Sequence, residues 1–119
     1  MANNGRLLAE WFWTDRWERS PAAVLPIAAR GLYRELLSRA WARGARLPNN
    51  PEAMRRLVGV TLEEWAATWP LVESYWRPSD DGLWLVNETQ LEIYAEARTM
   101  AERASTRSRK GNVVRWGKH

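Results

Sequence analysis

The stretch NNPEAMRRLVGVTLEEWAATWPLVESYWRPSDDGLWLV, residues 49–86, decides the fold. Asn50 followed by Pro51 opens a helix, because an Asn side chain accepts from a free first-turn N–H and proline suits the first helical position. That helix runs through Met54, Leu57 and Val58 and stops at Gly59. Thr61 with Glu64 three residues on has the form of a capping box, in which two free backbone N–H groups are satisfied reciprocally. The next helix carries Leu62, Trp65, Ala66, Trp69, Val72 and Trp76 along one apolar face. Pro70 removes a helical hydrogen bond and disfavours helical geometry at Trp69, which predicts a kink or a split into two short helices. Ser79-Asp80-Asp81-Gly82 then reads as a tight turn with a terminal Asp-Gly, flanked by Tyr75-Trp76-Arg77 and Leu83-Trp84-Leu85-Val86 as the arms of a hairpin.

Upstream, Ala29, Leu32, Tyr33, Leu36, Leu37, Ala40 and Trp41 recur at spacings of three and four, so a helix begins near Leu25-Pro26 and ends at Gly44. Leu47-Pro48-Asn49 is a turn. Glu10-Trp11-Phe12-Trp13 has strand character and is expected to supply a third strand, with Asp15 to Pro21 as a polar loop and residues 1–8 loosely ordered. Downstream, Asn87 and Gln90 form a second capping-box pattern, opening a helix along Leu91, Tyr94, Ala95 and Arg98. Beyond Ala104 the apolar periodicity fades, and a flexible basic segment is expected. The predicted chain is mainly α with a small β-hairpin or sheet. Three helices followed by a hairpin give a winged-helix-like domain (a helix-turn-helix with a wing) over residues 1–103, and residues 104–119 form a flexible basic tail.

The chain has 119 residues and 45% apolar content, enough for one domain with one core. Nine tryptophans against a single phenylalanine make an unusual core vocabulary, since each indole N–H needs a partner or water. Trp41, Trp65, Trp69 and Trp76 fall on apolar helix faces and belong to the core, whereas Trp11, Trp13 and Trp84 lie on strands that alternate sides. There is no cysteine, no basic-then-apolar leader pattern and no apolar run of membrane-spanning length, so a cytoplasmic protein without membrane contact is expected.

The net charge of +4 is unevenly divided. Arg103, Arg107, Arg109, Lys110, Arg115 and Lys118 give six cations without an acid from residue 103 on, which leaves twelve cations against fourteen acids in residues 1–102. Attraction to polyanions therefore concentrates at the C-terminal end.

Catalytic chemistry finds little footing. The one histidine is His119, so no nucleophile in the body has an imidazole base, and the glycines are isolated rather than gathered into a phosphate loop. Glu63-Glu64 suits a helix N-terminal turn and Asp80-Asp81 suits a hairpin turn. No catalytic residue, metal ligand or cofactor is predicted. Nucleic-acid binding has two sources: the tail, where the cations accompany a stacking ring at Trp116, and Arg55, Arg56 and Arg77 in the body, as positioning contacts. Between Thr61 and Trp76 there are Glu63, Glu64 and Glu73 but no cation, so the helix that would enter a groove is ill suited to phosphates.

The segments RGLYRELLSRAW, LPNNPEAMRRLVGVTLEEWAATWPLV, DDGLWLVNETQLEIYAEA and RSRKGNVVRWGK together resemble the YdaU-type domain, a domain of unknown function found near the N-terminus of phage and prophage replication proteins. The resemblance spans about Trp11 to Lys118. It implies a winged-helix-like fold and a place in phage DNA replication initiation, by binding DNA or helping to recruit a helicase or its loader, with no catalytic motif to carry over. Its tail pattern corresponds to Arg107, Arg109, Lys110, Arg115, Trp116 and Gly117. The alternative is a protein–protein adaptor that never touches DNA and binds a replication ATPase, another phage or host protein, or a second copy of itself.

Overall fold

A computed structural model describes residue 7 and residues 9–117, the last ten of them by their backbone. Helix α1 (Thr14–Glu18) is followed by a 3-10 turn (Pro21–Val24), helix α2 (Ile27–Trp41), strand β1 (Leu47–Pro48), helices α3 (Pro51–Val58) and α4 (Leu62–Val72), and a second 3-10 turn (Glu73–Tyr75). Strands β2 (Arg77–Pro78) and β3 (Trp84–Val86) lead into helix α5 (Glu88–Gly117). The molecule is mainly helical with one small three-stranded sheet, ordered β1-β3-β2 and antiparallel throughout.

The local signals fold as their chemistry requires. Asn50 Oδ1 accepts the Ala53 N–H at 3.0 Å, and Gly59 closes α3 in the left-handed conformation. The Thr61 capping box is complete: Thr61 Oγ1 accepts from the Glu64 N–H at 3.0 Å, and Glu64 accepts from the Thr61 N–H at 2.8 Å. Asp81 Oδ1 pins the hairpin turn by accepting from Ser79 Oγ at 2.7 Å and from the Leu83 N–H at 3.0 Å.

Helix α2 is the axis of the core. Its whole apolar face is buried, from Ala29 to Trp41. Toward α3, α4 and the sheet it meets Met54, Trp65, Val72, Leu47, Trp76 and Leu85. Burying each leucine of this set contributes about 1.5–3 kcal/mol. At its C-terminal end Trp41 packs edge-on against Tyr94 at 4.8 Å, and with Ala45, Ile93 and Ala97 it docks the first turns of α5.

Several expectations are corrected. The Glu10–Trp13 run is not a strand, and the third strand is instead β1, pairing Leu47 with Leu85 and Pro48 with Trp84. The reason is that the aromatic rings are taken up elsewhere, Phe12 against Trp17 and Trp17 over Tyr33. The polar stretch from Asp15 holds a helical turn, α1, closed by an Arg19–Asp15 ion pair, and not a loop. Tyr75 and Trp76 precede the hairpin rather than forming its first arm, since Tyr75 belongs to the 3-10 turn. Pro70 is accommodated inside one α4, which ends two residues later. Of the second capping-box pattern only half forms. Asn87 Oδ1 accepts the Gln90 N–H at 2.9 Å, but the Gln90 side chain turns away to donate to the Leu37 carbonyl at 2.6 Å.

The basic segment after Ala104, expected to be flexible, takes helical backbone, because α5 continues to Gly117. Among the residues of α5 whose side chains are described, Ala97 is the last buried one, and residues 98–107 are all exposed. The twenty residues from 98 to 117 extend the helix by about 30 Å. The molecule accordingly measures 66 × 29 × 26 Å. Residues 1–6 and 8, expected to be loosely ordered, lie outside the described residues.

Candidate nucleic-acid interface

The three body arginines expected to face phosphate are each engaged by a carboxylate. Glu52, in the first turn of α3, holds two of them: Arg55 donates to it through Nε at 3.0 Å and Nη2 at 2.7 Å, and Arg56 through Nε at 2.9 Å. This double guanidinium contact, with the Arg55 hydrogen bond as its largest part, holds the Glu52 carboxyl at about 2, well below the usual carboxylate range. Arg55 Nη1 also donates to the Val60 carbonyl at 2.7 Å, tying α3 to the start of α4. Arg77 pairs with Glu88 at the head of α5, and its Nη1 lies 3.3 Å from the Pro78 carbonyl. Arg55 and Arg56 are thus brought together, while Arg77 sits about 15 Å along α5 from residue 98, where that helix leaves the body.

Helix α4 presents an outward face without cations. Trp65 and Val72 point inward, and Leu62, Glu63, Ala66, Ala67, Pro70 and Leu71 are exposed. Leu62 is 69% and Leu71 45% exposed, large values for leucine. The hairpin turn is acidic and apolar in the same way, with Asp80, Asp81 and an exposed Leu83. The Ser79 hydroxyl and the Leu83 N–H lower the pKa of Asp81, so the turn keeps its negative charge.

Positive charge gathers elsewhere. Arg103 and Arg107 are exposed on the projecting part of α5. Arg109, Lys110, Arg115 and Trp116 follow on the same helix, in the part described by backbone alone, and Lys118 lies outside the described residues. Sequence reasoning missed three exposed cations near the end of α2. Arg39 makes only a long ion pair with Glu35 (3.7 Å), Arg43 donates to the Arg39 carbonyl, and Arg46 stacks 3.9 Å over the Trp84 ring. The four-residue spacing of Arg39 and Arg43 on the polar side of α2 was legible, whereas the Arg46–Trp84 stack depends on strand pairing.

Among the described residues no group of three or more His, Cys, Asp or Glu side chains is placed to hold a metal ion. No helix among them is long and apolar enough to cross a membrane. Comparison with protein-family models, with curated proteins and with solved structures finds no match for this chain.

Proposed function

We propose that this is a non-enzymatic, DNA-associated accessory protein of phage or prophage replication, cytoplasmic, with a winged-helix body of the YdaU type and α5 as its phosphate-binding arm. One observation carries the reading: α5 leaves the body at residue 98 with every residue to 107 exposed, and from residue 103 its charges are all positive. A helical stretch that bears cations and leaves its described side chains open to solvent meets a phosphate backbone without displacing packed contacts. The winged-helix assignment draws on the order of elements, helix, strand, two helices and hairpin, and on the β1-β3-β2 sheet. Because the α4 face lacks cations and Arg55, Arg56 and Arg77 are carboxylate-paired, binding is sequence-tolerant and driven by counterion release.

Fluorescence anisotropy with duplex DNA across a salt series tests this. Six phosphate contacts lower the affinity roughly a thousandfold between about 50 and 200 mM salt. Replacing Arg103, Arg107, Arg109, Lys110, Arg115 and Lys118 by Gln abolishes most of that slope. An unchanged slope in this variant sinks the proposal.

A second reading, an adaptor that recruits a helicase, its loader or a second copy of the chain, is favoured by the outward face of α4. Exposed Leu62 and Leu71, with Glu63 and Glu73 beside them, suit a protein partner better than a nucleic acid. Leu71→Asp then removes a partner that survives nuclease treatment in a pull-down while leaving DNA affinity unchanged. Loss of DNA binding with Leu71→Asp contradicts this division of labour.

A further inference from the structure

Helix α4 packs along α2 and leaves an open groove at their seam. Gly31 and Leu32 of α2, Val58 at the end of α3, Val60, and Ala67 of α4 line a space of about 440 Å³. Ile27 lies one turn before Gly31, and Leu71 one turn after Ala67, so each prolongs the groove on its own helix face. Ile27 is 74% exposed, and with the exposed Leu71 it leaves an apolar strip uncovered.

Nothing within the chain calls for glycine at position 31. It lies inside α2 without a positive φ, where glycine weakens a helix relative to alanine. A Cβ there would meet no described atom within 4 Å, so the room above it is open to a backbone approaching from outside. Two carboxylates, Glu35 and Glu64, border the groove, and its lining holds no cation among the described residues. The Thr61 N–H and hydroxyl lower the pKa of Glu64, which therefore keeps its charge, and Glu35 has only the long ion pair with Arg39. The groove is apolar along its length and negative at its edges.

The chain itself carries the complement. On α5 the buried face of Ile93 and Ala97 continues beyond the body as Met100, Ala101 and Ala104, at helical spacing, and these three are exposed. Alanines let another backbone come close, Met100 adapts to an irregular apolar surface, and Arg103 and Arg107 run along one edge of the stripe. Helices in proteins draw most of their stability from a packed face, and residues 98–107 bury no side chain. Since α5 runs unbroken from Glu88 to Gly117, this stripe points away from the groove of its own chain. We propose that residues 100–107 dock in the α2–α4 groove of a second copy, apolar stripe inward, with Arg103 and Arg107 toward Glu35 and Glu64. Each copy supplies one arm and one groove, and reciprocal docking closes a two-fold dimer. Dilution separates the pair and leaves the elongated single chain, 66 Å long.

The lack of cysteine makes the test direct, and it needs no nucleic acid, so its outcome is independent of the phosphate-binding reading. Full chains carrying Ala67→Cys and, separately, Ala104→Cys are mixed and treated with a short bis-maleimide. One of the two is isotopically labelled, so that mixed and like pairs separate by mass. Mixed pairs in excess over both like pairs are expected. Adding Gly31→Leu to the Ala67→Cys chain removes them. In the otherwise unaltered chain Gly31→Leu raises the dimer dissociation constant about tenfold or more by sedimentation equilibrium, while the helical circular dichroism of the monomer stays unchanged. Links confined to two Ala104→Cys chains would mean that the arms pair with each other. Mixed links that survive Gly31→Leu would place the contact outside the groove. Either result overturns the proposal, and so does a chain whose sedimenting mass stays that of a monomer as its concentration rises.

Discussion

Asn87 joins three parts of the protein through one amide. Its Nδ2 donates to the Tyr33 hydroxyl at 2.8 Å and to the Tyr75 carbonyl at 3.0 Å, while Oδ1 caps α5 at Gln90. Replacing it by alanine strands buried partners on α2 and the second 3-10 turn and removes a helix cap. Asn87→Ala is expected to destabilise the fold by about 2–4 kcal/mol, read from the midpoint of urea unfolding. Glu52 supplies a titratable counterpart. Its folded pKa, about 2, lies below the unfolded value, so its contribution is complete above the ordinary carboxylate range and is lost as pH falls toward about 2. Carboxyl-carbon NMR of Glu52 should show that low midpoint. Arg55→Leu should raise it further than Arg56→Gln does, because the Arg55 hydrogen bond is the larger cause. A smaller effect at Arg55 would show that the shared carboxylate is misassigned.

Helix α4 shows how an element can obey one local rule and break another. Its capping box is complete, and Thr61→Ala is expected to cost about 1 kcal/mol. Pro70, by contrast, lies inside the helix, where it lacks the N–H that would bond to the Ala66 carbonyl. Since residue 70 is exposed, Pro70→Ala should regain that bond without filling or emptying any core space. A rise in stability of about 1–3 kcal/mol by thermal or urea unfolding is expected. A loss would mean that the proline sets the path into the second 3-10 turn. Helix α5 divides differently. Its first turns are held by Trp41, Tyr94 and Ala97, and its residues 98–107 are held by helical hydrogen bonds without burial.

At the scale of the whole molecule, charge and shape separate along the same boundary. Residues 1–102 carry a net −2 (twelve cations, fourteen acids), and the residues beyond them carry six cations. The Cα radius of gyration is 18.0 Å, against about 13–14 Å for a compact chain of this length, because α5 projects. Small-angle scattering of the full chain should return a value near 18 Å, falling toward about 13 Å when residues 105–119 are removed. A compact full-length particle would mean that α5 folds back on the body, which would also hide the cations from DNA.

What the sequence determined by itself was whatever depends on neighbours a few residues apart. The Asn50 and Thr61 caps, the Gly59 stop, the Asp-Gly turn and the apolar stripe of α2 all arise from contacts within about one helical turn or one tight turn, and the division of charge needs no folding at all. Tertiary structure decided the rest. Two-residue strands carry no periodicity, so only the pairing of Leu47 with Leu85 identified β1 and excluded the aromatic run near Trp11. Only packing showed that Glu88 engages Arg77, that Gln90 reaches Leu37 rather than completing its capping box, and that four N-terminal rings enclose a cavity over Tyr33. Those contacts join residues far apart in the chain, and their energies depend on distance and burial, which a linear order of residues does not contain.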